Sequence, residues 1–354
     1  MRRHYLDNIR FITVLSVVLY HVFYVYNHCG VLGGIGPLGT PYADILLYVL
    51  YPWFMLLLFV VSGMSARYCL EKCTVRDFIR AKTRKLLVPS TLGLFVLWWV
   101  VGYFNIRYSG GFDIMSQIPK PALYFICALS GIGPLWYIQL LWVFSLLTVL
   151  IRKIEQNRLY AVCKKVGVPL LVLMTAVIWG AAQILNTPVI TVYRFGIYGL
   201  GYFIGYFVLS HDEVTDRLKT AWLPLSIAAV CLSVWFVIAD WGKNYTDDAV
   251  LQSRLCNAYA WIAVLAILAF MKRFCDFQSK ATAFFAARSW GLYLFHYLPL
   301  IACAGWLYDK PLPPLVQYAA TALCAYGGGY LLYAIVRRIP ILRYVLCGIK
   351  TEKK

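Results

Sequence analysis

Apolar stretches of about 20 residues recur from one end of this chain to the other, separated by short polar connections. Such a stretch is long enough to cross the hydrocarbon core of a bilayer as a helix. The apolar fraction of 62% and the mean hydropathy of +0.70 lie far above the values of soluble domains. The sequence therefore predicts an all-α, polytopic membrane protein, in which residues 1–354 form a single transmembrane domain.

The positive charges indicate how the chain crosses the membrane. If each candidate helix crosses once, 27 of the 33 Lys and Arg residues lie on one side and six on the other. Because basic loops stay in the cytoplasm, both termini are expected there, in a multi-pass protein of the inner (cytoplasmic) membrane. The net charge of +18 thus reflects topology, and we expect the lipid bilayer rather than nucleic acid as partner. The ten candidate helices are 9–29, 45–68, 88–105, 121–151, 168–185, 190–209, 221–240, 251–271, 284–304 and 314–336.

Glycine and proline mark two irregular places. The segment 121–151 is too long for one simple span and contains SGIGP, so we expect a re-entrant or interfacial piece before Pro134 and a helix from Leu135. The connection VLGGIGPLGTPYAD, after the first helix, predicts an ordered turn.

The first apolar segment carries ionisable residues on one face. Arg10 and His21 are eleven residues apart, which brings both side chains to the same side of a helix, and Asp7 lies one turn before Arg10. His28 falls within about 20° of the same stripe. Ionisable residues in membrane helices are costly and usually functional. His21 is thus a candidate functional residue, although a structural histidine that hydrogen-bonds across the bundle would show the same pattern.

The loop ARYCLEKCTVRDFIRAKTRKLLVP is the strongest charge feature. Its cations next to the start of a helix are typical of a topological anchor on anionic lipid. They would equally suit a docking surface for a cytosolic polyanion that carries phosphates.

Five segments, in order, resemble the acyltransferase-3 membrane proteins, which move acyl groups onto exported sugars, lipids and polymers. The late segment SWGLYLFHYLP is similar to the family's Ser-x-x-x-Tyr-Leu-x-His helix. The basic loop departs from the family's usual Arg-x-x-Arg pair, because Lys82 and Lys85 stand at the aligned positions, with Arg80 and Arg84 beside them. The other four segments are YLDNIRFITVLSVVLYH, FVVSGMSARY, FIRAKTRKLLVP and PLWYIQLL.

The resemblance implies an acyl-CoA-dependent O-acyltransferase. His21 would be the catalytic base or a transient acyl carrier, and Arg10 its partner near the cytoplasmic mouth. An imidazole is suited to both tasks, since it deprotonates a hydroxyl near neutral pH and its nitrogen attacks thioesters. Arg10 could bind donor phosphate, hold a carboxylate or stabilise an oxyanion, and Asp7 could orient it, cap the helix or form an interfacial ion pair.

The same resemblance suggests the substrates. The donor would be acyl-CoA, most simply acetyl-CoA, bound by Arg80, Lys82, Arg84 and Lys85. The acceptor would be a hydroxyl of an envelope carbohydrate or a lipid-linked molecule, and no bound cofactor or metal is expected. Donor from the cytoplasm and acceptor from outside would meet at His21.

Five further residues are candidates for acceptor binding or support. His296 could pair with His21, contact the acceptor or bond to Tyr293. Trp136 and Tyr137 are typical interfacial aromatics, on which a sugar would also stack. Ser62 could be a nucleophile, but small residues in membrane helices more often permit close packing. Arg194 would face the acceptor or extend to the membrane surface.

Two other functions remain open from the sequence. Buried His and Arg residues also serve proton coupling or anion binding in transporters and flippases, although no inverted repeat is evident. Ligation of a haem by His21 and His296 is a third possibility.

Overall fold

The structure is a computed structural model that describes residues 3–115, 117–187 and 192–350. Helices make up 79% of it, and no strand occurs among the described residues, where Asn186 and Arg194 form an isolated antiparallel bridge. The predicted all-α class is therefore confirmed.

The helices of eight or more residues are numbered in chain order. They are α1 (His4–Tyr24), α2 (Ile45–Leu70), α3 (Val75–Tyr108), α4 (Lys120–Ser130), α5 (Leu135–Glu155), α6 (Val168–Ala181), α7 (Phe195–Leu209), α8 (Asp212–Thr220), α9 (Trp222–Asp240), α10 (Arg254–Phe274), α11 (Lys280–Phe295), α12 (Tyr297–Tyr308), α13 (Pro314–Arg338) and α14 (Pro340–Cys347).

Seven helices in the described residues are long and apolar enough to cross a membrane, namely α1, α2, α3, α5, α9, α10 and α13. The pair α11 and α12 makes an eighth candidate span, bent by 55°. Three shorter apolar helices, α4, α6 and α7, have between 10 and 17 residues. A multi-pass membrane protein is thus confirmed. Ten crossings would require α6 and α7 to cross as well, so this number stays a prediction, as does the cytoplasmic location of both termini.

The long segment 121–151 is divided as predicted. Helix α4 ends at Ser130, and α5 begins at Leu135. Between them Gly133 adopts a positive φ of 39°, a conformation that favours glycine, and Pro134 has no N–H for a helical hydrogen bond.

The chain forms two compact units. The first unit comprises Met1–Thr13, Tyr48–Ile79 and Val143–Ala287, and the second comprises Val14–Leu47, Arg80–Trp142 and Arg288–Lys354.

In the first unit, glycines bring α2 and α7 into backbone contact. A Cβ atom on Gly63 of α2 would overlap the backbone of Tyr202, and one on Gly205 of α7 would overlap the carbonyl of Val60. These glycines thus act as packing positions, which let the backbones of the two helices approach closely.

We expect Gly205→Ala to lower the free energy of unfolding by about 1–3 kcal/mol, because the added methyl group meets backbone that cannot rotate away. Thermal unfolding in detergent measures the effect. The control is Gly180→Ala in α6, where a Cβ meets no described atom within 4 Å. This variant should match wild type or be more stable by up to about 1 kcal/mol. Equal melting temperatures for the two variants would contradict the packing argument.

In the second unit, hydrogen bonds hold the glycine-rich loop after α1. The Tyr24 hydroxyl donates to the Leu32 carbonyl at 2.5 Å, and the Ile35 N–H donates to the Val25 carbonyl at 2.7 Å. From α13, the Tyr318 hydroxyl donates to the carbonyl of Leu38 at 2.9 Å. The predicted ordered turn is confirmed.

Candidate functional site

Helix α1 carries the predicted stripe of ionisable residues, but only in part. It runs without interruption through Arg10 and His21 and ends at Tyr24. The side chain and the backbone N–H of Asn27 both donate to the Tyr24 carbonyl, at 2.8 Å and 3.2 Å, and together they satisfy this group at the end of the helix. The prediction that His28 continues the stripe is therefore wrong. His28 lies in the following loop, where its backbone N–H donates to the Asp44 carboxylate at 2.8 Å.

The structure brings His21 together with His296 in the second unit. Nδ1 of His21 lies 3.3 Å from Nε2 of His296, and the ring centroids are 5.0 Å apart. His296 is fully buried between α11 and α12, at the bend of the pair. Two of the predicted options for His296 are thus found, because it pairs with His21 and also bonds to the carbonyl of Tyr293.

Backbone carbonyls define which nitrogen of each ring carries a proton. Nδ1 of His296 lies 2.8 Å from the Tyr293 carbonyl, and Nδ1 of His21 lies 2.8 Å from the Val17 carbonyl. Since a carbonyl only accepts, both Nδ1 atoms must donate, and Nε2 is the accepting nitrogen of each neutral ring. His21 therefore donates from Nδ1 to Val17 and His296 together. Its Nε2 keeps the lone pair that a base or nucleophile needs.

Aromatic rings surround the pair. The ring of Tyr297 meets His21 edge-on at 5.2 Å, and that of Tyr24 does so at 5.8 Å. The Tyr293 hydroxyl donates to the Pro134 carbonyl at 2.5 Å, and its ring lies 5.5 Å from that of Tyr137. The start of α5 is thereby attached to the histidine pair.

The basic segment of α3, residues 80–85, is connected to the histidine pair through side chains on one face of α11. The Lys85 ammonium lies 4.9 Å from the centre of the Trp290 ring, which stacks with Tyr293 at 6.5 Å. The Tyr293 ring is in turn 6.2 Å from that of His296. Trp290, Tyr293 and His296 follow one another at intervals of three residues, the spacing of neighbours on one face of a helix. Of the other predicted donor-binding residues, Arg80 is exposed, whereas Lys82 and Arg84 are partly buried.

The first unit holds a separate cluster on α1. Nη1 of Arg10 forms an ion pair with Asp7 at 3.1 Å, and Nη2 donates to the Ser65 hydroxyl. Ser65 donates in turn to the Val61 carbonyl at 2.6 Å. Because α1 begins at His4, Asp7 lies inside the helix and cannot be its N-cap. Of the predicted options the cap is therefore wrong, and the ion pair fits both an orienting role toward Arg10 and an interfacial ion pair.

A family model described as an acyltransferase domain matches residues 3–334. The chain belongs to the acyltransferase-3 family. It is a membrane acyltransferase, which decides against the transporter alternative. Neither a curated protein nor a solved structure matches the chain significantly.

The remaining predicted residues of this acyltransferase-3 protein lie in packed surroundings. Trp136 and Tyr137 are buried, with their rings 6.4 Å apart. Ser62 is partly buried in α2, next to the close contact at Gly63. Arg194 is 6% exposed and donates to the Leu251 carbonyl at 2.9 Å, which excludes the option that it extends to the surface.

The histidine pair does not fit the haem alternative. A haem that lay between two ligating imidazole nitrogens would separate them by about 4 Å, with about 2 Å from the iron to each. The two nitrogens that face each other here are 3.3 Å apart, and each Nδ1 is committed to a carbonyl. Among the described residues, no group of three or more His, Cys, Asp or Glu side chains could hold a metal ion.

Two residues that contact the candidate site, Ser65 and Tyr24, were not predicted from the sequence. Ser65 lies in the quoted segment FVVSGMSARY, one turn after Ser62, so its position on the Arg10 side could have been inferred only with the helix partners known. Tyr24 follows His21 by three residues, a spacing that places both on one face and could have been noticed.

Proposed function

We propose that this membrane acyltransferase moves a short acyl group, most simply acetyl, from cytosolic acyl-CoA to a hydroxyl of an envelope saccharide or lipid-linked acceptor. The protein would act in the cytoplasmic membrane. The observation that carries the proposal is the His21–His296 pair, because it leaves Nε2 of His21 as the unprotonated nitrogen.

In the direct mechanism, Nε2 of His21 accepts the proton of the acceptor hydroxyl as the hydroxyl oxygen attacks the thioester carbonyl. The carbon–sulfur bond then breaks, and the departing CoA thiolate takes the proton from His21. His296 accepts a hydrogen bond from Nδ1 and so stabilises the positive charge that His21 carries in between. In the covalent variant, Nε2 itself attacks the thioester and CoA leaves as the thiolate. The acceptor hydroxyl then takes the acyl group from the acylated nitrogen, and its proton passes through Nε2 to the CoA thiolate.

Arg10 is assigned to a remote part of the donor. It lies eleven residues from His21 on α1, a rise of about 16 Å, which is more than the two side chains can span. Stabilisation of an oxyanion next to His21 is thus the least suitable of its three options. Its planar guanidinium, oriented by Asp7, suits a phosphate group of acyl-CoA.

Arg10→Gln is expected to raise KM for acyl-CoA about tenfold and to change kcat little, because a charge-assisted hydrogen bond to the donor is lost away from the reacting atoms. Initial rates at varied acyl-CoA concentration measure both constants. Arg158→Gln, which removes an exposed arginine, is the control and should leave both unchanged. A fall in kcat at constant KM would instead indicate that Arg10 stabilises the transition state.

The substrates are tested with labelled acetyl-CoA and membrane vesicles of either orientation. Inverted vesicles, which expose the cytoplasmic face, should incorporate label into a glycan or lipid fraction, whereas sealed right-side-out vesicles should not. The labelled fraction identifies the class of acceptor. Incorporation only from the outer face would contradict a cytosolic donor, and label from succinyl-CoA but not acetyl-CoA would correct the acyl group.

A further inference from the structure

Two arginines of the second unit each have a buried hydrogen-bond donor without a partner in the described part of the chain. The Nε atoms of Arg84 and Arg343 are buried, and neither has a hydrogen-bond partner among the described residues. The large majority of buried side-chain polar atoms in proteins are hydrogen-bonded. The guanidinium group is also always charged, so such a donor is costly unless an anion accepts from it.

The two arginines lie on segments that pack together. Helix α14, which contains Arg343, packs against 88–93 of α3. The chain then turns at Gly348, whose φ of 65° favours glycine and which lies directly against the backbone of Arg84 and Lys85. The Ile349 N–H donates to the Arg343 carbonyl at 3.3 Å and closes this turn. The end of the described chain is thus fixed beside the basic segment.

The charge of these segments is not neutralised within them. Residues 80–100 contain four Lys or Arg residues and residues 340–350 contain another two, with no Asp or Glu in either range. A concentration of one sign of charge attracts polyanions, and arginine matches the geometry of phosphate oxygens with two parallel hydrogen bonds. Phosphate is therefore the acceptor that this surface suits best.

Trp290 connects this surface to the histidine pair. Its indole N–H donates to the Cys347 carbonyl at 3.4 Å, and the Lys85 ammonium lies 4.9 Å from the centre of its ring. The same ring stacks with Tyr293, which contacts His296. A phosphate-bearing molecule bound here would lie next to Trp290, which is connected through Tyr293 and His296 to His21.

We propose that Arg84 and Arg343 together bind a phosphate group, so that α14, which lies beyond the family match at residues 3–334, completes the donor site. The phosphate belongs either to acyl-CoA or to the headgroup of an anionic lipid. The inference rests on the proposed function only for the first of these sources.

The test measures binding rather than acyl transfer. The purified protein is placed in nanodiscs of neutral phosphatidylcholine and titrated with CoA. Arg84→Gln and Arg343→Gln should each weaken CoA binding about tenfold, the loss expected for one charge-assisted hydrogen bond. The matched control is Arg338→Gln, which removes an exposed arginine from the same end of the chain and should change binding less than twofold. Arg343→Lys, which keeps the charge but not the planar fork, should fall between wild type and Arg343→Gln.

A second arm replaces part of the phosphatidylcholine by phosphatidylglycerol and records melting temperatures. If a lipid supplies the phosphate, phosphatidylglycerol stabilises wild type and Arg338→Gln but neither Arg84→Gln nor Arg343→Gln. If wild type binds no CoA at all, the proposed donor is wrong, and this arm alone decides whether the phosphate site exists. If Arg84→Gln and Arg343→Gln both behave like Arg338→Gln in the two arms, the inference is overturned. Equal melting temperatures of all variants in phosphatidylcholine exclude a general loss of folding.

Discussion

Replacing His21 by alanine is expected to lower the rate of acyl transfer about a thousandfold, within the range that a general acid–base residue contributes. The variant loses Nε2 of His21, which is unprotonated in the proposed mechanism and does not face His296. Label from acetyl-CoA in the acceptor fraction measures the rate, at matched protein levels in the membrane.

The control is His4→Ala, since His4 begins the same helix but lies 17 residues from His21. It should transfer label at the wild-type rate. Full activity of His21→Ala would show that another group deprotonates the acceptor. Without acceptor, retention of label on wild-type protein but not on His21→Ala would favour the covalent variant of the mechanism, and absence of label from both would favour direct transfer.

Replacing His296 by leucine is expected to lower kcat between tenfold and a hundredfold, with KM for acyl-CoA unchanged. His296 contacts His21 rather than the substrates in the proposed mechanism, so it is a positioning residue that acts through the hydrogen bond of 3.3 Å. Leucine fills the buried volume but accepts no hydrogen bond. His21 would then keep its bond to the Val17 carbonyl and lose the partner that stabilises its positive charge.

His296→Gln is the informative comparison, because a glutamine oxygen can accept near the position of Nε2. It should recover a large part of the lost kcat. A purely structural role predicts the opposite order, since the polar glutamine fits a buried site less well than leucine, and its melting temperature would then fall together with its activity.

Local periodicity and turn chemistry predicted much of what positions the site. A helix from Asp7 through His21 and the division of 121–151 before Leu135 both follow from interactions between residues close in sequence. The end of α1 at Tyr24 was missed because the apolar pattern continues past it, whereas in the structure the side chain and the backbone N–H of Asn27 both turn back to the Tyr24 carbonyl.

Contacts between distant residues could not be predicted in this way. His21 and His296 are 275 residues apart, and only the packing of helices brings them together. The resemblance to a family made both of them candidates without indicating which nitrogen would face which. Arg343 was not a candidate, since its burial depends on how α14 lies against α3.

Each histidine of the pair is held by its own helix. The carbonyls that fix the two protons belong to Val17 and Tyr293, four residues before His21 and three residues before His296. The nitrogen that reacts in the proposed mechanism is thus defined by main-chain geometry, whereas the rings around it belong to side chains such as Tyr24 and Tyr297. In the proposed mechanism, reactivity and selectivity are consequently separable. Reshaping the aromatic walls would change which acyl chain or acceptor fits, while the proton would stay on the same atom.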